Sequence, residues 1–229
     1  MHAEMTTDRT LLSALSSPAA LEFECQVETL VAGGVPWTAG LTDEQFRALV
    51  APLAERAAAL PWDDAHRRER PPTRIPFVLV VAPDLLPAGR AARLIERRGR
   101  RAIVTMLGDD DLDAFAPIEQ VELPPGGAYL LVDVDTGVAT RNDPPDRALP
   151  IITAQGRSPL TLEEGIAVVA HHPESVATNA GFSLLGSRRG DRRVTAMWIS
   201  RGSPKLGWCF AGAPHTWLGS ASCARRIGL

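Results

Sequence analysis

Between Pro150 and Cys223 the chain gathers three of its five Trp, two of its three Cys, three of its five His and its single Lys. The densest part is Ser203-Pro-Lys-Leu-Gly-Trp-Cys-Phe-Ala-Gly-Ala-Pro-His-Thr-Trp-Leu-Gly219. These residue types supply a nucleophile, a base, a cation and an aromatic wall. If Leu206–Phe210 is a strand and Gly212-Ala213-Pro214 its turn, His215 comes back opposite Cys209, the minimum for an activated thiolate. Asp191 or Glu164 would then orient the imidazole. The plainer alternative is a buried structural Cys and a turn His bonded to backbone. Period-two alternation puts Lys205, Gly207 and Cys209 on one side of such a strand and Leu206, Trp208 and Phe210 on the core side. Gly207 would leave room for a ligand between Lys205 and Cys209. Of the 24 basic residues 23 are Arg, so the one Lys invites a specific role as a compact charge with a tunable pKa. Trp198, Trp208 and Trp217 fall on neighbouring predicted strands and would wall a pocket for a planar or cationic ligand, or fill the core.

Other groupings are weaker. Cys209, His215 and Cys223 follow a Cys-x5-His-x7-Cys spacing that matches no standard zinc site, and no metal is assigned to them. His171-His172 closes a predicted helix, where the dipole favours a cation; His171 is the one expected to line a pocket. Gly186–Arg193 carries four Arg around a predicted turn, and Arg188 and Arg192 would bind phosphate or carboxylate there through guanidinium forks. The alternative is a solvated turn, and the loop lacks the GK[ST] of a phosphate-binding P-loop. Asp133 and Asp135 end a strand and suit either Mg²⁺ or an ordinary Asp-Thr-Gly turn. No motif specifies a cofactor.

The elements that must position these residues follow from patterning. Residues 1–18 read as a polar leader. Ala19–Leu30 is an amphipathic helix ended by Gly33-Gly34. Thr42 with Gln45 forms a capping box for a second helix over Phe46, Leu49, Val50 and Leu53, kinked or split by Pro52 and ending near Leu60. Asp63–Thr73 is Arg-rich and reads as a linker. Ile75–Ala82 is a strand buried on both faces. Ala88–Arg98 reads as an exposed helix, Ala102–Leu107 and Tyr129–Val134 as strands, and this order suggests a parallel crossover. Thr161 and Glu164 form a second capping box, for a helix stopped by Pro173. Phe182–Leu185, Val194–Ser200 and Leu206–Phe210 form an antiparallel meander. The fold class is α/β or α+β: a single domain over 19–229, helical over 19–61, with a sheet-containing core over 75–229, a mixed sheet and an antiparallel C-terminal meander.

Composition bounds the rest. The chain has 229 residues, 45% hydrophobic and 22% charged, enough for one domain with a real core. A net charge of -3 gives no drive toward nucleic acid or anionic membrane. The Arg excess, with abundant Ala, Gly and Pro, suggests a GC-rich coding sequence. Three Cys (Cys25, Cys209, Cys223) make no disulfide framework; reduced thiols and a cytoplasmic location are expected. The N-terminus does not resemble a signal peptide, and no window reaches the roughly 18 apolar residues of a membrane span.

The segments ALPIITAQGRSPLTLEEGIAVVAHHPE, GSRRGDRRVTAMWIS and PKLGWCFAGAPHTWLGSAS, with IPFVLVV and YLLVDVDTG upstream, resemble a family of uncharacterised proteins from high-GC actinobacteria. The resemblance spans about two thirds of the chain. It implies an actinobacterial, cytoplasmic protein and transfers no mechanism. Two functions stand open. One is a small-molecule enzyme using Cys209, His215 and Lys205 in a Trp-lined pocket for acyl-type transfer, hydrolysis or acid–base rearrangement. The other is a non-catalytic module binding a small ligand or a protein through the same face. Oligomeric state is left open.

Overall fold

The computed structural model describes residues 17–62 and 72–229, so the leader and the Arg-rich linker lie almost wholly outside the described residues. Ser17 starts helix α1 (Pro18–Ala32): its Oγ accepts from the Ala20 N–H, and Pro18 takes the first position, where a missing N–H costs nothing. A single turn, α2 (Val35–Thr38), follows. Helix α3 (Asp43–Val50) opens with both hydrogen bonds of the Thr42–Gln45 capping box. Pro52 then separates it from α4 (Pro52–Ala58).

Strand β1 (Arg74–Val81) leads to α5 (Ala88–Ala92), β2 (Glu96–Arg97), β3 (Arg100–Arg101), β4 (Ile103–Val104), α6 (Asp109–Asp113), β5 (Ala116–Pro117) and β6 (Ala128–Asp135). Two expectations fail here. The helix expected over Ala88–Arg98 stops at Ala92, because Arg98 and Gly99 take positive φ (52° and 74°) and turn β2 into β3 as a hairpin. The parallel crossover is absent: β1 and β6 pair antiparallel, Ile75 opposite Val134 and Val81 opposite Ala128. The intervening β4 leaves for a different sheet, so strand–helix–strand order does not make a crossover unit.

The second half contains α7 (Pro145–Ala154), β7 (Ser158–Pro159), α8 (Leu162–His171), β8 (Gly181–Leu184), β9 (Ser187–Arg188), β10 (Arg193–Ser200), β11 (Ser203–Phe210), β12 (Leu218–Ser220), β13 (Ser222–Cys223) and β14 (Arg225–Ile227). The first sheet has the order β1-β6-β13-β7, with β14 also on β6, and is antiparallel throughout. The second has the order β12-β8-β10-β11-β4. Its centre is the expected meander, and its flanking β12/β8 and β11/β4 pairs are parallel. The fold is α+β.

Burial stacks these elements in layers. Phe77, Leu79 and Val81 of β1 pack with Phe23, Phe46 and Leu53 of the N-terminal helices. Val78 and Val80 point the other way, into a core shared with Ile166 and Val169 of α8 and with Phe182, Leu184 and Met197 of the second sheet. Helix α8 therefore lies between two sheets, which explains apolar residues on nearly every side of it. Gly165 lets it approach β8, since a Cβ there would come within 2.3 Å of Leu184. On the outer face of the second sheet, Ala148 and Ile152 of α7 cover Val194, Ala196, Cys209 and Leu218.

Candidate functional site

The β10–β11 hairpin positions most of the candidate residues. Its register sets Trp198 opposite Lys205, Ala196 opposite Gly207 and Val194 opposite Cys209. Alternation places Lys205, Gly207 and Cys209 on the outer face, as expected, and Leu206 in the core between the sheets. Trp208 and Phe210 do not follow Leu206 inward. The Trp208 Nε1–H donates to the Met106 carbonyl at 3.1 Å, its ring meets Phe210 edge-on at 4.9 Å, and Phe210 is 53% exposed. Both lie at the end of β11, past the reach of the two-residue β4, so no second layer covers them.

The space at Gly207 is filled. A Cβ built there would come within 2.5 Å of the Trp198 ring, so the indole lies across the glycine between Lys205 and Cys209. Trp198 meets Trp217 edge-on at 6.0 Å, and the His215 ring lies 5.5 Å from Trp217. The outer face thus carries a contiguous aromatic row, Trp198–Trp217–His215, beside Lys205.

His215 does not return opposite Cys209. After β11 the chain crosses the sheet, and β12 pairs in parallel with β8 rather than antiparallel with β11. The His215 carbonyl instead accepts from the N–H groups of Asn142 and Leu218. Cys209 is 7% exposed beneath α7. Burial pushes its thiol up to about 11, with the Arg188 charge opposing. The two residues proposed to orient an imidazole are engaged elsewhere. Asp191 pairs with Arg193 at 2.8 Å and Arg189 at 3.4 Å, and Glu164 is buried against Arg226.

The Arg-rich turn is largely self-neutralised. Arg189 bonds Asp111, and Arg192 reaches Asp146 at 3.4 Å. Arg188 is half-buried and donates to the carbonyls of Leu185 and Ser187 at 2.7 and 3.0 Å; burial lowers its pKa. Asp133 pairs with Arg74 and Arg157, and Asp135 accepts from the Gly137 N–H at 2.7 Å as an ordinary turn. Cys25 is exposed, Cys223 belongs to the core between the sheets and Cys209 to the outer layer, so the second sheet separates the last two. Among the described residues no group of three or more His, Cys, Asp or Glu is placed to hold a metal ion.

His171 sits far from the aromatic row. Its Nε2–H donates to the Leu79 carbonyl at 2.9 Å, so the neutral ring carries its proton on Nε2. Burial drives its pKa down to about 3. A buried polar network that the sequence does not announce joins α8 to β14. Arg226 donates to both oxygens of Glu164 at 2.5 and 2.8 Å, and Glu164 also accepts from Tyr129 Oη at 3.1 Å and the Thr161 N–H at 2.8 Å. The capping box accounts for only one of these bonds. Arg226, three residues from the C-terminus, carries no signal in the sequence.

Residues 29–229 match the model of a family of unknown function, DUF5701, and the chain belongs to that family. No curated protein and no solved structure matches it. Among the described residues no helix is long and apolar enough to cross a membrane.

Proposed function

We propose that this DUF5701 member is a non-catalytic ligand-binding module whose binding face is the aromatic row Trp198–Trp217–His215 with Lys205 at its end. One observation carries the reading: Trp198 lies over Gly207 beside Lys205 and touches Trp217, which in turn meets His215. Aromatic rings offer large, rigid contact area, and a Lys supplies a compact positive charge. Together they suit a small planar anion such as an aromatic carboxylate. Arg192, whose guanidinium lies against Gly212 in the loop leading to His215, borders this face and shares its charge with Asp146, while Arg188 is committed to the carbonyls of Leu185 and Ser187. Trp208 stands on the opposite side of β11 and His171 in another layer, so neither belongs to this face.

The enzyme reading needs a thiolate at Cys209. A thiol held near 11 is ionised in roughly one molecule in ten thousand at pH 7, and His215 is not placed across from it. This favours binding over acyl transfer or hydrolysis through that residue. Residues 19–229 would act as one domain. Three unpaired thiols support a reducing, cytoplasmic setting, and the Arg-rich composition supports an actinobacterial source. The net charge of -3 and the paired Arg turn support a small ligand over nucleic acid.

The test is a thermal-shift and Trp-fluorescence screen of planar carboxylates. A hit is expected to stabilise the protein, to be lost in Trp217→Ala, and to weaken by about tenfold in Lys205→Met, the loss of one charge-assisted contact. A ligand that binds both variants as it binds the parent would sink the reading.

A further inference from the structure

The aromatic row ends at Lys205, and past Lys205 the same face runs into further positive charge. Strand β4 pairs in parallel with β11, Ile103 beside Lys205 and Val104 beside Leu206. Ala102 and Val104 pack against the core between the sheets, so alternation turns Arg101 and Ile103 to the outer face with Lys205. Both are exposed. Continuing that register by two residues sets Arg101 beside Ser203, roughly 8 Å from Lys205 along the diagonal. Arg100 and Arg201 crowd the same end: the Arg100 guanidinium donates to the Arg201 carbonyl at 3.0 Å and lies against Gly202.

These cations are not neutralised. Glu96, opposite Arg101 in the β2–β3 hairpin, is the one acid beside the six Arg of residues 88–104. Among the described residues no carboxylate forms an ion pair with Arg98, Arg100, Arg101, Arg201 or Lys205. The turn over residues 186–193 behaves differently, since Arg189, Arg192 and Arg193 each hold an Asp. Like charges gathered on two touching hairpin tips repel one another until an anion comes between them.

We propose that the aromatic face binds a nucleoside diphosphate, its base on Trp198 and Trp217 and its phosphates at Lys205 and Arg101. The proposal rests on the aromatic-row reading and extends the planar anion by a phosphate tail. Spacing selects this ligand class. Trp198 is the cross-strand neighbour of Lys205, about 5 Å away, and Arg101 lies roughly 8 Å further out. A planar carboxylate fills only the ring end and leaves Arg101 unused. A ring joined through a sugar to two phosphates spans the whole distance. Ile103, 45% exposed beside Lys205, offers the sugar an apolar floor. Phosphate oxygens accept from guanidinium and ammonium donors, and bases stack on indoles with little regard to base identity. Trp198 and Trp217 meet edge-on at 6.0 Å, so one can stack on a base while the other meets its edge. That makes one ring-sized subsite, fit for a single base and not for a run of them.

The test is calorimetric titration of the full-length protein with ADP, with AMP, adenosine and sodium pyrophosphate as matched probes. ADP should bind at least tenfold tighter than AMP or pyrophosphate, with adenosine weaker still. Arg101→Gln should weaken ADP about tenfold, the loss of one charge-assisted contact, and leave AMP unchanged, because only the outer phosphate reaches that residue. Trp217→Ala should weaken ADP, AMP and adenosine by the same factor. Arg56→Gln, which removes an equal charge from α4 in the N-terminal layer, should change nothing. Absence of ADP binding would overturn the proposal. So would AMP or pyrophosphate matching ADP, unimpaired binding by Arg101→Gln, or equal weakening by Arg56→Gln. A single-stranded oligonucleotide binding more tightly than ADP would overturn it too, in favour of a nucleic-acid surface. If ADP fails while a planar carboxylate still binds and is lost in Trp217→Ala, the aromatic row stands and only its phosphate tail falls. If neither ligand binds, both readings fall.

Discussion

The three thiols share one side chain and occupy three different environments. Cys25 is exposed on α1, whereas Cys209 and Cys223 are buried, and burial pushes their thiols up to about 11 and about 12. Alkylation needs both access and thiolate. Brief iodoacetamide treatment of the native protein at pH 7.5, followed by peptide mapping, should therefore label Cys25 first. Cys209 and Cys223 should react at Cys25-like rates only in denaturant. Native labelling of Cys209 as fast as that of Cys25 would reopen the nucleophile reading. Gly207 makes a related point. Its missing side chain leaves room, but Trp198 from the neighbouring strand takes that room. A glycine between two reactive residues indicates a close approach and does not say what approaches.

Among the secondary-structure elements, the C-terminal strand is held by charge as much as by its ladder. Strand β14 pairs with β6 over Arg225–Ile227, and Arg226 reaches through to Glu164 at the start of α8. The Glu164 side chain is fully buried and that of Arg226 is 6% exposed. Each raises the cost of losing the other, because a lone buried charge has no water to turn to. Arg226 also donates to Ser158 Oγ and the Pro159 carbonyl, so β7, β14 and α8 meet at one guanidinium. Glu164→Ala removes the carboxylate and strands that cation. Urea unfolding should show a loss of about 3–5 kcal/mol, the range for breaking a buried pair. A change below about 1 kcal/mol, the value of a surface pair, would show that the network is not holding these elements together. The capping box alone would account for about 1 kcal/mol.

Across the molecule as a whole, the exposed edge of the first sheet is closed by side chains. Strand β1 is an edge strand, and an uncovered edge invites pairing with another chain. Gln26 of α1 imitates the next strand: its Nε2 donates to the Phe77 carbonyl at 3.1 Å and its Oε1 accepts from the Leu79 N–H at 2.7 Å. His171 completes the edge at the Leu79 carbonyl. The N-terminal helices and α8 are thereby joined to the sheet edge through neutral polar groups. That arrangement makes stability depend on pH. An unfolded His takes a proton near 6.5, whereas His171 resists until about 3. Between those values the unfolded state holds the extra proton, so stability present above pH 6.5 is lost as pH falls, at about 1.4 kcal/mol per pH unit for one such group. Glu163, shifted upward, works in the opposite sense. Comparing urea midpoints from pH 7 to pH 5, His171→Gln should flatten the decline relative to the parent. Parallel declines in both proteins would show that His171 titrates normally.

Features set by neighbours in the chain are legible in the sequence. Thr42 with Gln45 and Thr161 with Glu164 cap helices because three residues bring each side chain to the orphan N–H groups. Pro52 breaks a helix because it lacks a donor. The IPFVLVV run is a buried strand, and Gly-containing turns join β8, β10 and β11 as antiparallel neighbours. Strand alternation alone is enough to put Lys205, Gly207 and Cys209 on one face. Where the longer connections lead is settled by tertiary packing. The Gly212–Pro214 segment resembles a hairpin turn, but the chain runs on to β12 at the opposite edge and carries His215 away from Cys209. The stretch from Ala88 to Arg98 has helical composition, but the helix stops at Ala92, and positive φ at Arg98 and Gly99 folds the rest into a hairpin. The Glu164–Arg226 pair depends on a contact between residues far apart in sequence. Hydrogen bonds within a few residues are specified locally. Which edge accepts a strand, and which carboxylate finds a cation, depend on the packing of every layer at once.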